Sequence, residues 1–474
     1  MKWIVLPLCL NCCLLATAEP SEGSVTITLE PGGKSAPIPP DFLGLSFESR
    51  GLPPDVNGDY FFSRTNKPLV MLFKNLGISH LRMGGTSVES PPTNPIPDAR
   101  AIDNLFGFVK AAGIKKVIYS FRLLETNSAL NYEITNAAIA KYIWDKHRSY
   151  LDCFAIGNEP DVGRVYKQDD EITNIPSYLA KWKRFAAAIT NAVPEAKFAG
   201  PDAGSANVIW TTRFADRFKD SGIISAITEH FYVGGAGRDV PAAQGIDDML
   251  SPNWIASNQN LHAKVTVPVM AMGLPFRFGE ANDHYSGGVK DASDTFAGAL
   301  WALDFAHWWA AHDAIGIDFH NTQWRVNDSI TRDSDGELRV NPKGYGLKAF
   351  QLGSRGSPEP LKIQNPAKIN LTAYAFNDKS RDFVTIINKG HGTGAREAAV
   401  TINLASKPKR AEVIYLTAPN NDAAAKTGVT LGGASINSIE PWRGKWNPLP
   451  LDDSGQCIVK ISPTSAAIVK ISTW

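Results

Sequence analysis

Between Pro40 and about Phe350, short apolar runs alternate with longer stretches of helical period. Eight runs recur: Phe42 to Glu48, Ser79 to Gly84, Lys116 to Phe121, Leu151 to Gly157, Ala196 to Gly200, Ile224 to Tyr232, Pro275 to Glu280 and Ala314 to His320. Among the segments between them, Ala101 to Ala112, Ala137 to Lys146, Tyr178 to Val193 and Thr295 to His312 carry the spacing of amphipathic helices. Strands joined through helices run parallel, since each crossover returns the chain to the same end of the sheet. Eight such units over roughly 300 residues predict a (β/α)₈ TIM barrel spanning 40–354. After Ser354-Arg355-Gly356-Ser357-Pro358 the pattern changes. Runs such as Leu371 to Phe376, Phe383 to Ile387, Ala399 to Leu404, Ala411 to Leu416 and Ile458 to Ile461 are β-branched and separated by Gly, Asn and Pro, which predicts an antiparallel β-sandwich over 355–474. Within 19–39, Ser24 to Leu29 alternates cleanly and is expected to add a strand to that sandwich.

The first 18 residues have the form of a cleaved leader: Lys2, an apolar run, then Ala16-Thr17-Ala18. The mature chain is therefore expected to be secreted. No later apolar run is long enough to cross a bilayer, so no membrane partner is expected. Lys and Arg number 48 against 47 Asp and Glu, which leaves no basic surplus for nucleic acid. Of five cysteines, Cys9, Cys12 and Cys13 lie in the leader, so Cys153 and Cys457 cannot make a disulfide framework. Asn327-Asp328-Ser329 and Asn370-Leu371-Thr372 are glycosylation sequons. No heptad run announces an oligomer.

In such a barrel the chemistry sits where the strands end. Those ends carry Glu48, Arg82, Asn158-Glu159-Pro160, Glu229-His230-Phe231-Tyr232, Glu280, Asn282 and His320-Asn321. Glu159 and Glu280 close the fourth and seventh runs and can face each other across the mouth. A pair of carboxyl groups so placed suits glycosidic bond cleavage, one protonating the leaving oxygen and the other attacking the anomeric carbon. Asn158 can donate to a sugar hydroxyl. His230 by itself reads as a core histidine, and Trp301, Phe305, Trp308 and Trp309 as packing against the barrel.

Assembled, these segments resemble glycoside hydrolase family 79, its exo-acting β-glucuronidases more than heparanase. The likeness rests on Leu45-Ser46-Phe47-Glu48, Arg82-Met83-Gly84-Gly85, Ile156-Gly157-Asn158-Glu159-Pro160-Asp161, Phe198-Ala199-Gly200-Pro201-Asp202, His230-Phe231-Tyr232, Leu274 to Asn282 and Asp294-Thr295-Phe296-Ala297. The resemblance implies a retaining barrel enzyme that needs no metal or organic cofactor and acts on a glycan or glycoside. It assigns Glu159 as acid/base and Glu280 as nucleophile, with Tyr232 beside the nucleophile, Glu48 on sugar hydroxyls and Tyr285 on the glucuronate carboxylate. Two departures stand out. Thr86 replaces the family's Asn after Gly84-Gly85, and the glycine-rich loop after the eighth strand is here His320-Asn321-Thr322-Gln323-Trp324-Arg325. Recognition of the acid sugar is then expected from Tyr285, Asn321 and Arg325, or else the substrate preference has shifted; His320 is a further substrate-binding candidate. The implied activity is release of terminal glucuronic or 4-O-methylglucuronic acid. An endo-acting, heparanase-like enzyme and an inactive carbohydrate-binding barrel are the alternatives.

Overall fold

The computed structural model describes residues 23–30, 36–90, 95–125, 130–162, 172, 174–204, 208–404, 407–453 and 455–472. The leader expected at 1–18 falls outside the described residues. After a lone first strand, β1 (Ser24–Leu29), eight parallel strands close into a barrel in chain order. They are β2 (Leu43–Glu48), β3 (His80–Gly84), β4 (Lys116–Phe121), β5 (Leu151–Ile156), β6 (Phe198–Gly204), β7 (Ile224–Tyr232), β8 (Phe276–Asn282) and β9 (Ala314–His320), and β9 pairs back onto β2. The TIM barrel expected from the alternation is present. Around it lie α1 (Lys67–Leu76), α2 (Ala99–Ala112), α3 (Tyr132–His147), α4 (Ile175–Ala192), α5 (Ile209–Phe218), α6 (Ala242–Leu250), α7 (Asn253–Leu261), α8 (Val267–Ala271), α9 (Phe296–Ala310) and α10 (Pro342–Gly353). Their ends follow local chemistry. The Asp98 side chain accepts the Ala101 N–H to start α2, and Gly113, at φ 80°, ends it in the left-handed conformation that glycine tolerates.

The end of the barrel where the strands begin is plugged by charge. Arg277 lies 3.2 Å from both Asp318 and Asp41, and Asp318 meets His80 at 2.6 Å. Only glycine fits against these groups. A Cβ on Gly44 would stand 1.8 Å from Asp318 Oδ1, and one on Gly316 2.2 Å from Arg277 Cζ.

The rest of the chain forms β10 (Ile330–Arg332) paired with β11 (Leu338–Val340), then β12 (Ser357–Glu359), β13 (Leu361–Gln364), β14 (Leu371–Asn377), β15 (Arg381–Asn388), β16 (Ala398–Asn403), β17 (Arg410–Thr417), β18 (Thr430–Leu431), β19 (Asn447–Leu449), β20 (Cys457–Ile461) and β21 (Ser465–Ser472). One sheet runs β13-β1-β16-β20, so the first strand sits in the C-terminal domain, parallel to β16. The other runs β12-β14-β15-β21-β17-β18, with β19 on β17. Val25, Ile27, Val384, Val400, Val459 and Val469 fill the space between the two sheets.

The larger sheet turns its other face, with Phe376, Ile387, Ile414 and Ile468, onto the barrel's own core. This contact changes one expectation. The segment containing α9 reads as amphipathic, yet every residue of α9 is buried, because the helix lies between barrel and sandwich. On its sandwich side Asp304 accepts Thr372 Oγ1 at 2.9 Å, Tyr374 Oη at 2.6 Å and Lys389 Nζ at 2.7 Å. Asn327 is also buried and donates Nδ2 to the Asn327 loop's neighbour His284 O at 2.8 Å, so that sequon cannot carry a glycan in the folded chain.

Both members of the Asp304–Lys389 pair are fully buried, so removing one leaves an uncompensated charge. Asp304→Ala is expected to cost about 3–5 kcal/mol, and Asp304→Leu combined with Lys389→Met to recover most of it. Urea denaturation of the three proteins checks this. A loss under about 1 kcal/mol in the single variant would mean the lysine finds other partners on the way out of its site.

Candidate active site

At the mouth, four strand ends meet on one side chain. Arg82, wholly buried on β3, donates Nη1 to Ser46 Oγ at 3.0 Å and Glu280 Oε2 at 3.1 Å. Its Nη2 donates to Asn158 Oδ1 and Asp202 Oδ2, both at 2.8 Å, and Nε reaches the same Asp202 oxygen at 3.2 Å. One planar guanidinium thereby ties β2, the end of β5, β6 and β8 together.

Glu159 stands just past β5 with φ 49°, a left-handed backbone that costs a non-glycine residue about 1–2 kcal/mol. Its N–H donates to Asp202 O at 2.8 Å, which holds the turn. His230, on β7, places Nδ1 2.9 Å from Glu159 Oε1 and Nε2 3.7 Å from Asp202 Oδ1. A carboxylate oxygen of Glu159, one of Glu280 and a ring nitrogen of His230 all fall within 4.8 Å of one another. Glu280 accepts the Tyr232 hydroxyl on one oxygen and Arg82 on the other. The Glu159 side chain is 23% exposed and that of Glu280 9%.

Burial alone would raise the Glu280 pKa. His320, His230 and Arg82, with the Tyr232 hydroxyl, instead hold it down to about 2. Asp202 is likewise buried, yet Arg82, His230 and Thr228 keep it well below the ordinary carboxylate range. Burial opposes the charge on His230, but Glu280, Asp202 and Glu159 lift it to about 10. Burial and the facing Glu280 push the Tyr232 phenol up, so it stays a donor. Two buried cations, Arg82 and His230, thus match two buried anions, Asp202 and Glu280. Glu159 thus accepts from the His230 imidazolium, and Glu280 from Arg82 and the Tyr232 hydroxyl.

The other candidates divide. Glu48 accepts the Ser87 N–H at 2.8 Å, and His320 stands between it and Glu280, 3.8 Å from Glu48 Oε1 and 3.4 Å from Glu280 Oε2. Gly85, at φ 71°, leaves room for this glutamate; a Cβ there would lie 2.6 Å from Glu48 Cδ. Tyr285 is 44% exposed, its ring 6.5 Å from that of Tyr232 and edge-on to it. Arg325 is exposed and its stem crosses Gly287, two residues after Tyr285. Asn321 departs from expectation. It is wholly buried, takes the N–H groups of Ser329 and Ile330, and donates to Ile330 O, so it braces the loop rather than facing a ligand. Asp328 completes that brace by accepting from Thr322 and Arg325 backbone N–H groups, both at 2.9 Å. Sequence reasoning left Arg82, Asp202 and Ser46 without roles and placed His230 in the core. His230 is indeed buried, but against Glu159.

Similarities to known proteins agree with this geometry. Residues 369–468 match the glycosyl hydrolase family 79 C-terminal beta domain. A β-glucuronidase of Aspergillus niger is 25% identical over 402 residues, covering 75% of this chain and 73% of that protein. Heparanase-like protein 2 of Arabidopsis thaliana is 27% identical over 181 residues, 36% of this chain and 31% of its own length. Among solved structures, a 4-O-α-L-rhamnosyl-β-D-glucuronidase from Fusarium oxysporum superposes with TM-score 0.72 at 18% identity, covering 94% of this chain and 99% of that one. A family 51 α-L-arabinofuranosidase from Bifidobacterium longum gives TM-score 0.67 at 14% identity, with 96% and 100% coverage.

Arg82→Leu would strand Asp202 and Glu280 without their shared counter-charge, at an expected cost of about 3–5 kcal/mol near neutral pH. Both carboxyls sit below their unfolded values, so the stability they contribute is present above about pH 4 and lost as pH falls toward 2. The gap between parent and variant should therefore narrow between about pH 4.5 and 2. Thermal midpoints of both proteins at pH 7 and pH 3 test this, and an unchanged gap would place the cost of the substitution in packing instead of charge.

Proposed function

We propose that this chain, a glycoside hydrolase of the glucuronidase-like family 79 type, is a secreted, exo-acting β-glucuronidase that works with retention of configuration. The spacing of the two glutamates carries the proposal. Carboxylate oxygens of Glu159 and Glu280 lie within 4.8 Å, which suits the separation of about 5–5.5 Å used for double displacement and is too short to seat a water for single displacement. Glu280, held ionised against Arg82 and the Tyr232 hydroxyl, attacks the anomeric carbon. Glu159, more open to solvent, protonates the leaving oxygen and then activates the water that releases the sugar. Tyr232 and Arg82 fix the nucleophile's direction, while Glu48, His320 and Asn158 line the sugar's place beside it.

An acidic sugar is supported by the groups around the nucleophile. Tyr285 is exposed beside Tyr232, and the exposed Arg325 lies against Gly287 two residues further on, so a hydroxyl and a guanidinium are offered to a carboxylate at C5. Exo action rests on the resemblance of the strand-end motifs to the exo-acting β-glucuronidases; the similarity to the fungal β-glucuronidase spans three quarters of the chain and that to the heparanase-like protein about a third. Secretion rests on the leader at 1–18.

Incubation with a fluorinated glucuronyl inhibitor should add one sugar to the parent, and none to Glu280→Gln, by intact mass. Glu159→Ala should lose far more activity on a poor leaving group than on an activated aryl glucuronide, with azide rescuing the latter. A label on any other residue removes Glu280 from its role, and equal losses without rescue remove Glu159.

For the substrate, Tyr285→Phe deletes one hydroxyl and should lower kcat/KM on the glucuronide by about 1.5–3 kcal/mol, the worth of a hydrogen bond to a charged group. The matching glucoside should be spared. An unchanged glucuronide-to-glucoside ratio would make Tyr285 a packing residue.

A further inference from the structure

A second cavity, of about 280 Å³, opens beside the cleft. Val233 and Gly234, the two residues after Tyr232, form one side of it. Asp283 and His284, just before Tyr285, form another, and Trp254 and Ser257 of α7 stand across from them. The same two segments therefore wall both spaces, with Tyr232 and Tyr285 belonging to the cleft.

Its lining is polar in an unusual way. His284 is buried and neither ring nitrogen has a hydrogen-bond partner; Asp283 Oδ2 and Trp254 Nε1 are also without one. His284 Nδ1 and Asp283 Oδ2 are 3.7 Å apart, too far to satisfy each other. Buried polar atoms without protein partners call for water, an ion or another ligand, and here several of them converge on one cavity. Here donors and acceptors are mixed, and Asp248, Ser251 and Asn253 extend the mixture toward solvent. A ligand whose groups both donate and accept is the match, which describes hydroxyls. Size restricts it further: a cavity of about 150 Å³ holds a six-atom ring such as benzene, so this one has room for a single pyranose with its substituents. Charge restricts it again: Lys343, 3.4 Å from Asp283, offsets that carboxylate, while Asp248 on the rim repels an acidic sugar.

We propose that this cavity is a non-catalytic binding site for one neutral pyranose, separate from the cleft that takes the sugar to be cleaved. The test is binding, independent of hydrolysis. D-Glucose, D-galactose, D-xylose, L-rhamnose and D-glucuronate are titrated in turn into parent, Glu280→Gln, Ser257→Trp and Asp248→Ala, with saturation-transfer NMR and the fluorescence of the cavity's tryptophans as readouts. At least one neutral sugar should bind the parent and Glu280→Gln with the same affinity. Ser257→Trp, which fills the cavity from an exposed position, and Asp248→Ala should each weaken that binding tenfold or more. Glucuronate should not compete. No neutral sugar binding to the parent, binding unchanged in both cavity variants, or competition by glucuronate would each overturn the proposal, the last by placing the sugar in the catalytic cleft.

Discussion

The buried guanidinium of Arg82 is the constraint on which the barrel mouth depends. Two carboxylates cannot share a dry site in ionised form unless a cation sits between them. Arg82 does so with directed bonds to Asp202 and Glu280, and its remaining donors go to Ser46 and Asn158. Asp202 in turn steadies His230 from behind and the left-handed turn at Glu159 through its backbone. Geometry and charge at both glutamates are thus settled before any sugar arrives, which is the condition for stabilising a transition state without reorganisation.

The sandwich contributes to the same rigidity from outside. α9 packs rings inward on the strands that carry the mouth, Trp309 against Phe278 of β8 at 4.6 Å and Trp301 against Phe319 of β9 at 6.2 Å. Its opposite face is clamped to the sandwich by the three bonds to Asp304. The strands bearing Glu280 and His320 are therefore backed by two layers. Loosening the outer one would be felt at the nucleophile through a single helix.

Much of this was legible in the residues. The eightfold alternation specifies the barrel because a parallel strand must be followed by a crossover, and the polar residue ending each run falls at the mouth by the same geometry. That logic finds Glu159, Glu280, Asn158, Tyr232 and Glu48. It puts Arg82 at the mouth but misses its role, because the partnership with Asp202 joins residues 120 positions apart and is invisible to any local period. It fails for His230 because burial and contact with Glu159 are not exclusive. Asn321 misled for a third reason: one residue past a strand the alternation no longer says where a side chain points, and the loop's own unpaired backbone groups claimed it. α9 hid its second interface because a helix apolar all round has no period to read. β21 was missed as well; it lies at the centre of the larger sheet and is covered on both faces, so it does not alternate, and its Ala466-Ala467 pair is a poor strand former.

The first strand's position has a consequence in time. β1 pairs in parallel with β16 and antiparallel with β13, all on the far side of the barrel in the order of synthesis. A ribosome extending the chain at roughly 5–20 residues per second needs roughly 20–70 s to pass from Leu29 to Ala398. For that interval the whole barrel can close while an alternating apolar segment at its leading end has no sheet to join. Such a strand is an open template for pairing with other chains. The last domain can be completed only by reaching back for the first piece made, so the nascent protein must keep that piece soluble and unpaired until its partners emerge.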